Sequence, residues 1–208
     1  MDNELKRLLE DADKAPLAHL LPRVVRFAQR TENSELAQWA RLESLGYVPE
    51  NPAMSAAVTI PNYRSVPGRW LDEYQRPLLV PRSDVANVIN KTMLRQPVGE
   101  LEELVQANGV LAMPDPKAAA ALREHLQVDV TVFSFQPFSV RQVLAGIRAQ
   151  LQHRLVAASA GQHSVDAATE TGQSGVTSEI VELRPNFFGL GVNLRALWQW
   201  GRVRFRKR

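Results

Sequence analysis

The sequence has 208 residues, 45% of them apolar, so it can bury a sizeable core and suits one domain with appendages. The absence of cysteine excludes disulfide scaffolds, thiolate zinc sites and thiol nucleophiles. The net charge of +3 hides an asymmetry, because residues 1–183 carry 18 basic and 22 acidic groups, a net of −4, whereas residues 184–208 add seven basic groups and no acid.

The N-terminal residues and the hydropathy of the chain favour a cytoplasmic protein. Four acidic residues occur within the first eleven positions, whereas a secretory signal begins with basic residues and an apolar run. No run of about eighteen apolar residues occurs, so no transmembrane helix is expected. We therefore expect a soluble, cytoplasmic protein.

Three short amphipathic helices are predicted at the N-terminal end. The first should end near Ala15, because the following Pro16 disfavours helical angles before it. Pro22 must lie in the first turn of the second helix or kink it. Ser34 is the predicted N-cap of the third helix and Gly46 its end. The apolar faces at helical spacing are Leu5, Leu8, Leu9 and Ala12; Leu17, Leu20, Leu21, Val24, Val25 and Ala28; and Leu36, Trp39, Ala40 and Leu42.

The residue composition changes in the middle of the chain. Closely spaced prolines between residues 47 and 90 predict irregular structure with short extended pieces. Helices are predicted over residues 100–106 and 116–126, the second with Pro116 in its first turn. Apolar residues on both faces of residues 128–135 predict a buried strand. Trp39 and Trp70 are expected in the core.

A long core helix follows Pro137, with Ser139 as its predicted N-cap and apolar residues at helical spacing as far as Val156. Residues 157–178 have almost no large apolar side chain, so a flexible linker is predicted. Residues 179–208 are predicted to form a small strand–turn–helix module. The sequence thus predicts a mostly helical α+β fold with a domain over residues 1–156, a linker over 157–178 and a basic module over 179–208.

Three stretches carry a resemblance to a known family. Residues 36–47 contain Trp39 and Glu43 on a helix before Gly46-Tyr47. Residues 63–68 read Tyr-Arg-Ser-Val-Pro-Gly, and residues 94–104 read Leu-Arg-Gln-Pro-Val-Gly-Glu-Leu-Glu-Glu-Leu. Together with a weaker match over residues 143–148, they resemble the AbiTii family of bacterial abortive-infection proteins across about residues 4–156, and residues 63–68 resemble that family's Tyr-Arg…Pro-Gly turn. The resemblance implies a role in phage defence and supplies no catalytic residue.

Motifs for metal or cofactor chemistry are missing from the sequence. The four histidines are scattered, with no His-x-x-x-His motif and no paired carboxylate partner of the kind that metal sites use. Neither a Gly-x-Ser-x-Gly elbow nor a phosphate-binding loop occurs. We therefore expect no metal and no cofactor.

One spacing has a catalytic interpretation. Arg148 and His153 form an Arg-x4-His pair on the long predicted helix, which resembles the motif of HEPN ribonucleases. In that family the histidine moves protons at the ribose 2′-hydroxyl and the arginine stabilises the charge on phosphorus. The chain departs from the family pattern by placing Ala149 after the arginine and a strand before the helix. A metal-independent ribonuclease is therefore an alternative function. The other interpretation of the spacing is an exposed arginine and a surface histidine with no catalytic role.

The C-terminal module has two predicted faces. Its apolar side chains are candidates for binding a second copy or another defence protein, and its arginines are candidates for binding nucleic acid or an anionic membrane surface. The candidate partner-binding residues are Phe187, Phe188, Leu194, Leu197, Trp198 and Phe205. The candidate polyanion-binding residues are Arg195, Arg202, Arg204 and Arg206.

The leading hypothesis is a non-enzymatic phage-defence protein that self-associates or binds a partner protein through the tethered module. A tether of about twenty residues raises the effective concentration of the module near a neighbouring protomer. The alternatives are the ribonuclease effector and a membrane-surface toxin.

Overall fold

The computed structural model describes the backbone of residues 3–80 and 83–168, and the side chains of residues 3–80 and 85–160. Helices and short strands within these ranges confirm the predicted α+β, mostly helical fold. The helices are α1 (Asn3–Asp11), α2 (Leu17–Arg30), α3 (Ser34–Leu45), α4 (Ser83–Ile89), α5 (Val98–Val105), α6 (Pro116–Leu126), α7 (Pro137–Ala168) and a 3-10 helix (Asn62–Arg64). The strands are β1 (Ser65–Pro67), β2 (Arg69–Leu71), β3 (Lys91–Met93), β4 (Leu111–Met113) and β5 (Val132–Phe135).

The described residues divide into two compact units, which we call the helical unit (residues 3–56, 96–102 and 144–168) and the sheet unit (residues 57–80, 83–95 and 103–143). In the helical unit, α2 packs against both α1 and α3. Leu5 and Leu8 of α1 are fully buried, and burial of each contributes about 2 kcal/mol to the free energy of unfolding. The helical periodicity read from the sequence therefore identifies the core of this unit.

The helix ends of the helical unit differ from the sequence prediction in detail. The N-cap of α3 is Asn33, whose side chain accepts a hydrogen bond from the Leu36 N–H at 3.0 Å, and Ser34 is the first helical residue. Asn33 and Ser34 are both good capping types, so residue type alone does not decide between them. Pro22 lies inside α2, beyond its first turn, so the Ala18 carbonyl has no helical N–H donor at position 22.

All described strands belong to the sheet unit. Strands β1 and β3 pair antiparallel, and a second, antiparallel sheet has the strand order β2-β5-β4. The buried strand that the sequence predicted over residues 128–135 is β5, which is shorter than predicted and lies at the centre of its sheet. Trp70 and Phe133 form an edge-to-face ring pair with centroids 5.3 Å apart, and both are buried.

The Pro-Gly turn that the family resemblance implied is not formed at Pro67-Gly68. Strands β1 and β2 follow one another on either side of Gly68, so the chain stays extended from Ser65 to Leu71. The Gly68 N–H donates to the Asn90 carbonyl at 2.9 Å, and a Cβ built on Gly68 would lie 2.3 Å from the Ser134 carbonyl oxygen. A side chain is excluded here by the close approach of β5, and no turn is required to explain the glycine.

Helix α7 begins at Pro137, a position that suits proline because the first helical N–H has no partner within the helix. Ser139, predicted as the cap, lies inside the first turn and is buried. The helix continues through residues 157–168, where a linker was predicted, because alanine and glutamine extend an established helix at little cost. Residues 169–178 of the predicted linker and the whole predicted module over residues 179–208 lie outside the described residues.

Candidate functional site

Arg148, the arginine of the ribonuclease-like pair, binds the backbone between α1 and α2. Its guanidinium donates to the Ala12 carbonyl at 2.7 Å and to the Ala15 carbonyl at 2.8 Å. Carbonyls after a helix C-terminus lack helical donors, and a cation there also complements the helix dipole. Both contacts give Arg148 a structural role in connecting α7 to the end of α1.

His153 is exposed on α7 and does not join Arg148 in a common site. Five residues of α-helix rotate the side-chain direction by about 140° and advance it by about 7.5 Å. The Arg148 guanidinium is directed at the α1–α2 connection, so the two side chains leave the helix in different directions. The structure therefore does not assemble a converging acid–base pair from these two residues.

Other polar residues of α7 also contact the helices of the helical unit. Gln152 donates to the Asp13 carboxylate, and Arg154 donates to Glu35 at 2.8 Å. The Arg154 guanidinium also lies 5.2 Å from the centroid of the Trp39 ring, which is buried as predicted. The polar side of α7 is thus used for packing against the turn after α1 and the start of α3.

Glu102, from the third family-like stretch, caps α2. Its two carboxylate oxygens accept the N–H groups of Leu17 at 2.7 Å and Ala18 at 3.2 Å. A carboxylate at a helix N-terminus satisfies donors that have no partner within the helix and interacts favourably with the helix dipole. The connection between α1 and α2 is therefore held at its carbonyls by Arg148 and at its amides by Glu102. We call this arrangement of residues 12–18, Glu102 and Arg148 the connection clamp.

Glu43 and Tyr47, from the first family-like stretch, form a buried pair. Glu43 is 0% exposed, and the Tyr47 hydroxyl donates to its carboxylate at 2.7 Å. Between them Gly46 ends α3 with a φ of 84°, which favours glycine. Asn51 donates to the Gly46 carbonyl at 2.6 Å. This cluster fixes the sharp exit of the chain from α3.

Arg64, from the second family-like stretch, lies inside the sheet unit. It is 0% exposed and donates to the Leu94 carbonyl at 3.0 Å, while the Leu94 N–H donates to the Arg64 carbonyl at 2.9 Å. A guanidinium buried in this way connects the start of β1 to the end of β3. Trp70 in β2 similarly donates its indole N–H to the Ile89 carbonyl at 2.9 Å.

Glu43, Arg64, Glu102 and Arg148 of the family-like stretches are therefore engaged in contacts that hold the fold. In the part of the chain that the structure describes, no three His, Asp or Glu side chains are grouped as a metal site would require. Over the same part, each helix is too short or too polar to span a membrane.

The candidate residues of the C-terminal module lie outside the described residues. These are the partner-binding candidates Phe187, Phe188, Leu194, Leu197, Trp198 and Phe205, and the polyanion-binding candidates Arg195, Arg202, Arg204 and Arg206. Sequence reasoning missed the roles of Glu102 and Arg148, whose contacts join segments 84 to 136 positions apart and leave no local pattern.

A sequence model of the AbiTii family matches residues 3–160. The match confirms the resemblance predicted from the three stretches and covers both units. No curated protein and no solved structure matches the chain.

Proposed function

The chain belongs to the AbiTii family, and on this premise we propose that it acts in phage defence by binding, either to a second copy or to another defence protein. Membership of the family supports a role in bacterial abortive-infection defence. The proposal adds the mode of action, which is assembly in the cytoplasm without catalysis by the chain itself.

The proposal rests on the burial and the backbone contacts of four ionisable residues in the family-like stretches. Glu43 and Arg64 are fully buried, and Glu102 binds backbone amides. Arg148, the strongest catalytic candidate, donates to two backbone carbonyls. A catalytic group must reach substrate with an available proton or lone pair, and these groups are engaged within the protein.

The proposed binding element is the apolar set of the C-terminal segment. Two adjacent phenylalanines and an amphipathic sequence with Leu197 and Trp198 would expose a large apolar patch, which soluble monomers avoid. Tryptophan and other aromatic residues are enriched among the residues that dominate binding energy at interfaces. Binding to a second copy or to a partner protein would remove this surface from water.

The test compares full-length variants in two assays, mass in solution by light scattering and plating efficiency of phage on expressing cells. The apolar variant is Leu197→Glu with Trp198→Ala, and the matched control is Arg202→Glu with Arg206→Glu. We expect the apolar variant to lose phage protection and any mass above 23.3 kDa, and the control to retain both. A wild-type monomer whose protection still requires the apolar set would identify a partner protein instead of a second copy.

Retention of both mass and protection by the apolar variant would exclude the proposed binding element. Loss of protection only by the arginine variant would instead favour binding to a polyanion through the C-terminal arginines.

A further inference from the structure

One extended segment, Ser65–Leu71, is shared by both sheets of the sheet unit and keeps a single alternation throughout. Val66 and Trp70 are buried, and the Cα–Cβ direction at Gly68 points at Phe133. The side chains of the intervening residues therefore lie on the opposite face, which we call the outer face. Pro67 and Arg69 are exposed there.

The neighbouring strands extend the outer face. Lys91 pairs with Pro67 across the β1–β3 ladder, and Ser134 pairs with Arg69 across the β2–β5 ladder. The alternation of β3 continues beyond its end, because Leu94 is fully buried and bonds to the Arg64 backbone. Arg95 therefore returns to the outer face and is exposed.

Three cations on this face, Arg69, Lys91 and Arg95, have no ion-pair partner within the described residues. Other arginines of the same unit are paired with carboxylates, Arg76 with Asp72 and Arg123 with Asp129. The sequences of the five strands contain no Asp or Glu, so no carboxylate within them offsets these charges. The strand residues of the outer face thus carry positive charge and no carboxylate.

We propose that the outer face binds the phosphodiester backbone of single-stranded nucleic acid. Four residues of strand place Lys91 and Arg95 about 13 Å apart, a span that one phosphate group cannot bridge and a chain of phosphates can. The hydroxyls of Ser65 and Ser134 are on the same face and can donate to phosphate oxygens. The spacing and the charge both fit an extended polyanion.

An exposed aromatic ring on which a base could stack lies in the hairpin directly after β2. Tyr74 is 69% exposed in the hairpin loop that follows Leu71, and the Arg76 guanidinium lies 4.8 Å from the centroid of its ring. Bases of a single strand stack on exposed aromatic rings without sequence preference. An anionic membrane fits the face less well, because the large apolar residues on it, Leu71, Met93 and Val132, are all half-buried and offer little apolar surface to lipid.

The test measures the fluorescence anisotropy of labelled single-stranded RNA and DNA of mixed sequence against full-length protein over a range of salt concentrations. The sheet variant is Arg69→Glu, Lys91→Glu and Arg95→Glu. The matched control reverses three exposed cations elsewhere, Arg26→Glu, Lys117→Glu and Arg141→Glu, with the same change in net charge. A third variant, Arg202→Glu with Arg206→Glu, tests the C-terminal arginines.

We expect the wild-type and the control to bind, and the sheet variant to bind more weakly with a smaller dependence on salt. Three lost phosphate contacts should lower the slope of log affinity against log salt by about 2, since each contact with a single strand releases about 0.7 counterion. Comparison of RNA with DNA then shows whether the 2′-hydroxyl contributes.

Three results would overturn the proposal: no binding by the wild type, equal weakening by the matched control, or loss of binding only in the C-terminal variant. Binding to anionic lipid vesicles or acidic peptides that requires the same three cations, without binding to oligonucleotides, would also overturn it. If the glutamate set disturbs folding, as judged by circular dichroism, the neutral set Arg69→Gln, Lys91→Gln and Arg95→Gln replaces it and must show the same loss.

Discussion

The helical unit and the sheet unit use long-range backbone contacts in different ways. In the helical unit, charged side chains from α5 and α7 reach the unpaired backbone groups between α1 and α2. In the sheet unit, the Arg64 and Trp70 side chains also bond to backbone carbonyls, but the strands of three or four residues pair by direct approach of backbone to backbone, and a Cβ at Gly68 would collide with β5. A side-chain contact can be weakened in steps, whereas a backbone approach tolerates no added atom. The two units should therefore respond differently to single substitutions.

Gly68→Ala should give the largest effect. The new Cβ would lie 2.3 Å from the Ser134 carbonyl oxygen and 2.5 Å from the Phe133 ring, so β2 and β5 must separate. We expect the free energy of unfolding to fall by about 3 kcal/mol, as measured by urea denaturation.

The matched control is Gly99→Ala in α5 of the helical unit. Its Cβ would meet only the Ala18 Cβ at 3.7 Å, an ordinary contact. Alanine is favoured over glycine in a helix, so stability should be unchanged or slightly higher. Equal destabilisation by the two substitutions would show that the close approach at Gly68 does not set the spacing of the strands.

Arg148→Ala should have an intermediate effect, confined to the connection clamp. It removes two charge-assisted hydrogen bonds, to the carbonyls of Ala12 and Ala15. We expect the free energy of unfolding to fall by about 2 kcal/mol. Arg148→Lys should recover part of this loss, because an ammonium group cannot reproduce the fork of two parallel donors.

His153→Ala separates this structural role from the ribonuclease alternative. His153 is exposed, so the substitution should change stability by no more than about 0.5 kcal/mol and leave phage protection intact. Loss of protection by His153→Ala at unchanged stability would favour the ribonuclease. It would also require Arg148 to leave the α1–α2 connection during the reaction.

The sequence predicted those structural features that depend on neighbouring residues or on residue type. The leucines of α1 and α2 follow helical spacing, and Trp39 and Trp70 are buried as expected from their size. The predicted cap was Ser34, whereas the cap is Asn33; both residue types suit that role, and composition does not distinguish them. The Pro-Gly turn at Pro67-Gly68 was implied only by the family resemblance, and the close approach of β5 that the structure shows there leaves no local pattern in the sequence.

The candidate site was less predictable because its contacts are long-range. The spacing of Arg148 and His153 suggested chemistry, whereas the role of Arg148 depends on carbonyls more than 130 positions away in sequence. The outer face of the sheets likewise depends on the register that brings Lys91 opposite Pro67. Three-residue strands have too few positions for their pairing to be read from alternation.

The smallest expected effect concerns the hairpin after β2, where a carboxylate binds exposed backbone. The pKa of Asp72 is lowered from its ordinary value, chiefly by a hydrogen bond from the Arg76 N–H. Desolvation opposes this in part, and the Arg76 side chain and the Tyr74 N–H lower the pKa further. A lowered pKa means that the folded hairpin favours the carboxylate. The stability that the carboxylate contributes is therefore present above the unfolded value of about 3.9 and is lost as pH falls through the folded pKa.

Arg76→Gln keeps the backbone donors to Asp72 and removes the ion pair. The pKa of Asp72, followed by NMR titration of its carboxyl carbon, should therefore stay below its ordinary value in this variant. A return to the ordinary value would show that the ion pair dominates, and that this turn of the sheet unit, like the helical unit, is held by a charged side chain.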